Sequence, residues 1–156
     1  MKKIFFLLVS CMILISSGHA DQTAWILCQP NDWVNARAKA STRSQSEGRF
    51  ETGDVITLDG KEKNGFVHVV DVSFEVSECW VYAGYVSYAE PVVVNKRAVI
   101  SSSQRVRARK TIDGKRRRWL EGGTSVYVYY IAGDWSVTNE GFVKTEYLRF
   151  EGVDLR

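Results

Sequence analysis

Hydrophobic and polar positions are arranged in two ways along this chain. Residues 4–15 form one apolar run, preceded by Lys2 and Lys3 and followed by small residues ending at Ala20. From residue 24 onward the apolar residues come instead in short bursts: "WILC", "DVITL", "GFVHVVDV", "CWVYAGYV", "PVVV", "SVYVYYIA", "DWSVT" and "GFVKTEYL". These bursts are rich in Val, Ile, Thr, Tyr, Phe and Trp and are punctuated by Gly, Asn, Asp and Ser, which predicts many short strands joined by turns. No stretch after residue 20 has helical periodicity. In "GDVITL" the alternation sets Val55 and Thr57 against Ile56 and Leu58, a two-faced strand. Asn64-Gly65 predicts a hairpin turn, because both residues tolerate positive φ. Pro30 and Pro91 stand at segment edges, where a strand tolerates them.

The same landmarks occur twice in the same order. Val34 and Arg37, Gly53-Asp54-Val55, Gly65-Phe66-Val67, Trp80-Val81 and Tyr85-Val86 answer to Val106 and Arg109, Gly123 to Val126, Gly133-Asp134-Trp135, Phe142-Val143 and Tyr147-Leu148. Two small β units in tandem are therefore expected. Such cores need large apolar side chains, and the repeated Trp80, Tyr85, Phe142 and Tyr147 are expected to seal them.

Four of these landmarks carry a resemblance. "VNARAKAS", "ETGDVITL", "NGFVHV" and "CWVYAGYV" resemble, in order, the opening and three strand motifs of bacterial SH3 domains. The match covers residues 33–87 well and residues 100–149 more loosely. It implies an all-β chain of two small five-stranded SH3-like barrels, each with a binding role. The expected division is a first domain over 24–89, a linker over 90–96, a second, divergent and basic domain over 97–150, and a tail over 151–156. Glycine usually precedes the closing aromatic in such domains. Gly141 does so in copy two, whereas copy one has Cys79. Either a bridge meets the need there, or the local backbone is less demanding.

The apolar run at the start changes what the composition means. A positive start, an apolar core and small residues are the layout of a secretory signal peptide over 1–20, cleaved after Ala20. The run is too short to span a membrane, which takes about 20 apolar residues. "LVSC" at Cys11 resembles a lipobox, but it would leave a very short apolar core with more apolar residues after the cut. A secreted or periplasmic protein is expected. Cys28 and Cys79 then lie in an oxidising compartment and point to a disulfide, with two buried free thiols as the alternative.

Charge divides the chain more sharply. Residues 21–90 hold 6 basic and 11 acidic side chains, whereas residues 91–156 hold 13 basic and 7 acidic. The excess lies in "RVRARKTIDGKRRRWL". Asp113-Gly114 reads as a tight turn, which would lay two basic arms side by side as one cationic ridge. The SH3 resemblance puts this segment in the long loop after the first strand of copy two, a region that lines ligand grooves. By the same resemblance, candidate ligand contacts in copy one are Trp33, Asn35, Arg37 and Tyr82. In copy two they are Arg107, Arg109, Arg116, Arg117, Arg118 and Trp119, with indoles stacking and arginines pairing with carboxylates or phosphates.

Catalytic chemistry is not expected. His68, the only histidine after residue 20, sits in "FVHVV" on the face opposite Val67 and Val69, and is expected to be exposed. Two cysteines, one histidine and no Cys-x-x-Cys exclude the usual structural zinc sites, and no phosphate loop or nucleophile elbow is present. No cofactor is expected. The expectation is a non-enzymatic binding module at the cell envelope. Its partner would be cell-wall peptide or an anionic envelope polymer, or else a protein, making it an adaptor; export argues against nucleic acid.

Overall fold

The computed structural model describes residues 21–70 and 78–151, and nearly every burst of apolar residues within them is a strand. Residues 1–20, expected to be a signal peptide, and tail residues 152–156 lie outside the described residues. The first half holds β1 (Gln22–Ile26), β2 (Val34–Arg37), β3 (Ser46–Phe50), β4 (Val55–Lys63), β5 (Phe66–Val70), β6 (Glu78–Tyr82) and β7 (Val86–Ser87). The second holds β8 (Val92–Ile100), β9 (Val106–Arg109), β10 (Arg116–Leu120), β11 (Ser125–Ala132), β12 (Trp135–Thr138), β13 (Gly141–Lys144) and β14 (Leu148–Phe150). The hydrogen-bonded order is β3-β2-β6-β5-β4-β1-β7 in one sheet and β10-β9-β13-β12-β11-β8-β14 in the other. Taken position by position, the two orders are the same. The internal repeat in the sequence is thus a repeat of topology.

Each sheet has seven strands, where the resemblance implies five-stranded barrels. The difference comes from the long segment after each first strand, which folds into a hairpin of its own, β2–β3 or β9–β10. In the hydrogen-bonded order β3 and β7, or β10 and β14, stand at opposite ends, so among the described residues neither sheet closes through its ladder. The expected linker 90–96 is also largely strand. Val92 to Lys96 form the start of β8, because Val93 and Lys96 pair with Tyr130 and Val128 of β11.

Local chemistry accounts for the turns. Asn64 (φ 54°) and Gly65 (φ 77°) both adopt positive φ between the paired residues Lys63 and Phe66, the geometry that a two-residue hairpin turn requires. In β4, Ile56 and Leu58 are buried while Val55 is 61% exposed, as strand alternation dictates.

Small aliphatic residues dominate the two cores, with Ile26, Ile56, Val69 and Val81 in the first and Ile100, Leu120, Val126, Val128 and Val143 in the second. A third cluster joins the sheets: Leu27 packs with Ala132, Val137 and Phe142, flanked by Tyr85 and Ile112. Of the repeated aromatics only Phe142 is fully buried; Trp80, Tyr85 and Tyr147 are half-buried. Sealing the cores falls to the valines beside them.

Two expectations about polar and sulfur chemistry are corrected. Cys28 and Cys79 are not bridged but are buried free thiols. The Cys28 thiol donates to the Asp32 carbonyl (3.4 Å) and accepts from Thr52 Oγ1 (3.3 Å), so it is engaged locally. Cys79 stands mid-strand, paired with Val69. His68 is 5% exposed rather than open to solvent. Alternation assumed that one face of β5 is uncovered, yet Phe66, Val67, His68 and Val69 are all buried. The His68 ring lies on Trp80 (4.8 Å between centroids), its Nδ1 is 2.9 Å from Asp59 Oδ2, and its Nε2 is 3.5 Å from Glu78 Oε2.

Candidate functional site: paired grooves on the two sheets

Both sheets carry an open groove in the same place, between the hairpin after the first strand and the strand that leads into a 3-10 turn. In the first sheet it is lined by Trp33, Val34, Asn35, Arg37, Thr42, Phe66, Tyr82 and Tyr85 and holds about 300 Å³. In the second, Ser102, Gln104, Arg105, Val106, Arg107, Arg109, Trp119, Trp135, Lys144 and Tyr147 enclose about 400 Å³. The walls correspond. Val34 pairs with Phe50 as Val106 pairs with Leu120, which matches Asn35 to Arg107 and Arg37 to Arg109. Phe66 pairs with Tyr82 as Trp135 pairs with Lys144. Tyr85 and Tyr147 each end the 3-10 turn that follows, Ala83–Tyr85 or Thr145–Tyr147.

One contact is conserved with its partners exchanged. In the first sheet the Arg49 guanidinium lies over the Trp33 ring at 4.3 Å. One step outside the equivalent strand pair in the second sheet, Arg105 lies over Trp119 at 5.5 Å. The cation has moved from β3 to the β9 side, and the indole has moved the opposite way. Such stacking is worth about 0.5–1 kcal/mol at exposed sites, and in both grooves it fixes the rim.

The equivalent arginines Arg37 and Arg109 are also structural. Arg37 Nη1 donates to the Ser44 carbonyl at 2.8 Å, and Arg109 Nη1 to the Gly114 carbonyl at 3.4 Å. Each braces the turn of its hairpin while presenting its remaining N–H groups to the groove.

Every copy-one candidate (Trp33, Asn35, Arg37 and Tyr82) lines the first groove. In copy two, Arg107, Arg109 and Trp119 line the second, and Arg116 reaches it by lying over Trp119 at 5.0 Å. Arg117 stands where the β9–β10 register shifts, and Arg118 turns away to pair with Glu140 at 2.7 Å. Neither joins the groove. Sequence reasoning put Arg105 in the cationic ridge without naming it a ligand contact, and missed Trp135, Lys144 and Tyr147 in this groove, and Phe66 and Tyr85 in the first. The repeat offset was the usable signal, since it maps Tyr82 onto Lys144 and Tyr85 onto Tyr147.

The grooves differ in chemistry. The first is aromatic, with Arg37 in its lining and Arg49 stacked on Trp33 at its rim. Burial, reinforced by the Asp32 charge, pushes the Tyr85 hydroxyl up, so it serves as a neutral hydrogen-bonding group. The second gathers Arg105, Arg107, Arg109 and Lys144, with no acid among its lining residues. At its rim Arg105 meets Glu121 and Lys144 meets Glu146, both at 3.9 Å and well exposed; such pairs contribute about 0–1 kcal/mol and leave the field largely uncompensated. Among the described residues no group of three or more His, Cys, Asp or Glu side chains is placed to hold a metal ion, and no helix is long and apolar enough to cross a membrane.

No protein-family model matches the sequence, and no curated protein matches it. Among solved structures, NlpC1 from Trichomonas vaginalis is similar at 14% identity and a TM-score of 0.36, over 87% of this chain and 48% of that one. NlpC2 from the same organism is similar at 16% identity and a TM-score of 0.34, over 87% of this chain and 51% of that one. The chain spans about half the length of these structures.

Proposed function

We propose that this chain is an exported, non-enzymatic binding protein, a tandem of modules resembling bacterial SH3 domains, that recognises cell-wall peptide or an anionic envelope component through its two grooves. The carrying observation is that one groove is built twice, on equivalent strands, from aromatic and guanidinium side chains. Cores of this size call for buried aliphatics; they give no reason to keep Trp33 and Tyr82, or Trp119 and Trp135, along open clefts. Aromatic rings with a few fixed hydrogen-bonding groups are the usual furniture of a recognition surface. The mostly aromatic first groove suits a peptide with apolar or small residues, with Arg37 available to a carboxylate.

Sedimentation of the purified protein with isolated cell walls, at low and high salt, tests this reading. Binding is expected at low salt, weakened by salt and reduced by Tyr82→Ala and by Arg107→Gln. Absence of sedimentation at any salt would turn the reading towards a protein–protein adaptor. Release of soluble wall fragments during the incubation would turn it towards an enzyme.

A further inference from the structure

We infer that the groove of the second sheet is a site for a linear polyol-phosphate polymer, read as a row of phosphates. The inference rests on the binding role proposed above and names the ligand chemistry for one of the two grooves.

The first ground is spacing. Arg105, Arg107 and Arg109 stand at alternate positions leading into and along β9, with Val106 and Ala108 buried between them. Alternate residues of a strand share a face about 6.6 Å apart, so three arginine side chains leave the backbone in a row on one face along the groove. Lys144 adds a fourth cation from β13. A ligand with one charged end would satisfy one cation; a chain with charge at regular intervals satisfies them all.

The second ground is how the guanidiniums are held. Arg105, Arg107 and Arg116 lie over Trp119 at 5.5, 5.3 and 5.0 Å, and Arg109 lies over Trp135 at 5.5 Å. Stacking on an indole fixes a long flexible side chain and leaves its N–H edges for an anion, and the planar fork suits phosphate oxygens. Among the described residues, the guanidiniums of Arg107 and Arg116 meet no carboxylate or other hydrogen-bond acceptor. These donors rest on an indole yet are unpaired.

The third ground decides which phosphate polymer. Single-stranded nucleic acid gains much of its affinity from bases stacked on free aromatic faces. Here Trp119 already carries three guanidiniums and Trp135 one, so the indoles serve the arginines instead. The groove fits phosphates on a backbone without bases. The first groove lacks this character: Arg37 and Arg49 are its cations, one braced on Ser44 and the other lying on Trp33.

The test is a titration of the purified full chain, followed by tryptophan fluorescence, against three polymers of equal charge: poly(glycerol phosphate), a single-stranded oligodeoxynucleotide and poly-glutamate. Poly(glycerol phosphate) is expected to bind best. Its log K should fall linearly with log salt at a slope of roughly −3, as for about four phosphates released from counterions on a flexible strand. Arg107→Gln with Arg116→Gln should weaken it about tenfold or more at low salt, by loss of two of these contacts. Arg117→Gln, which removes one charge at the register shift outside the groove, should change it little. Circular dichroism on each variant separates lost binding from lost fold. Equal or tighter binding of the oligonucleotide or of poly-glutamate overturns the assignment. So does failure of the phosphate polymer to bind while the protein still sediments with cell walls, an outcome that leaves the binding role standing. Failure in both assays removes both.

Discussion

Cys79 and Gly141 occupy the same place in the two copies, one residue before Trp80 and Phe142, yet the backbone asks different things of them. Gly141 closes a two-residue turn opposite Thr138, at φ 120°, and a Cβ there would stand 2.4 Å from the Arg109 carbonyl oxygen. Copy one reaches β6 by a longer connection, so Cys79 is an ordinary mid-strand residue paired with Val69. The missing glycine therefore needs no bridge to replace it. Gly141→Ala is expected to cost about 2–3 kcal/mol, from backbone strain and the close approach together, read as a shift in urea midpoint. Cys79→Ala should cost only about 1 kcal/mol, for a small cavity. The thiols themselves should be sluggish. Burial pushes both up, and for Cys79 the nearby Glu47 charge helps take it to about 12, so little thiolate exists near neutral pH. Without reductant, a thiol reagent should label Cys28 and Cys79 slowly in the native chain from residue 21 onward, and find both once guanidinium unfolds it; finding neither would mean that Cys28 and Cys79 are joined.

At the scale of elements, the three adjacent strands β4, β5 and β6 carry a polar cluster that strand alternation did not reveal. Asp59 on β4 accepts from Lys61 Nζ and lies 2.9 Å from His68 Nδ1 on β5, while Trp80 and Glu78 on β6 close the other side. Burial alone would raise the Asp59 carboxyl, but hydrogen bonds from Lys61 and His68 outweigh it and hold it well below the usual carboxylate range. Unfolded, this group binds its proton near pH 4; folded, it resists doing so. Its contribution to stability is therefore present above about pH 4 and lost as pH falls further, through the depressed folded value. Melting temperatures measured from pH 7 down to pH 2.5 should fall more steeply for the native sequence than for Asp59→Asn, and parallel slopes would exclude the coupling. What could be read in advance at this scale was local. Asn64-Gly65 and Asp113-Gly114 announced their hairpin turns, and the crowding of arginines around the second announced the cationic arm. What could not be read was the register between strands distant in sequence. That register covers His68, brings Trp135, Lys144 and Tyr147 into one groove with Arg107 and Arg109, and sends Arg118 towards Glu140.

At the scale of the whole molecule, a tandem repeat with opposite charge in its halves reads as two independent beads, but the contacts between the sheets oppose that picture. Leu27, fully buried, belongs to the first half by sequence and packs with Ala132, Val137 and Phe142 of the second. The tip of the β9–β10 hairpin rests on the 3-10 turn of the first sheet, where the Ile112 N–H donates to the Gly84 carbonyl at 2.9 Å. Gly84 is buried, and a Cβ there would come within 2.8 Å of Thr111 Oγ1 and closer still to Asp113. Tyr82 and Tyr85 flank this glycine and line the first groove, while the hairpin carries the second, so one seat fixes both. Leu27→Ala is expected to cost about 2–4 kcal/mol, by lost transfer energy and the cavity left behind, and Gly84→Ala about 1–3 kcal/mol by overpacking. Domains of this size have only some 5–15 kcal/mol of stability to lose, so a shared core worth several kcal/mol couples their unfolding. Calorimetry should show one transition for the native protein, with calorimetric and van't Hoff enthalpies in agreement. Leu27→Ala and Gly84→Ala should lower that transition or split it in two. Two well-separated transitions in the native protein, with Leu27→Ala moving only the first half's, would make the halves independent and the contact at Gly84 incidental.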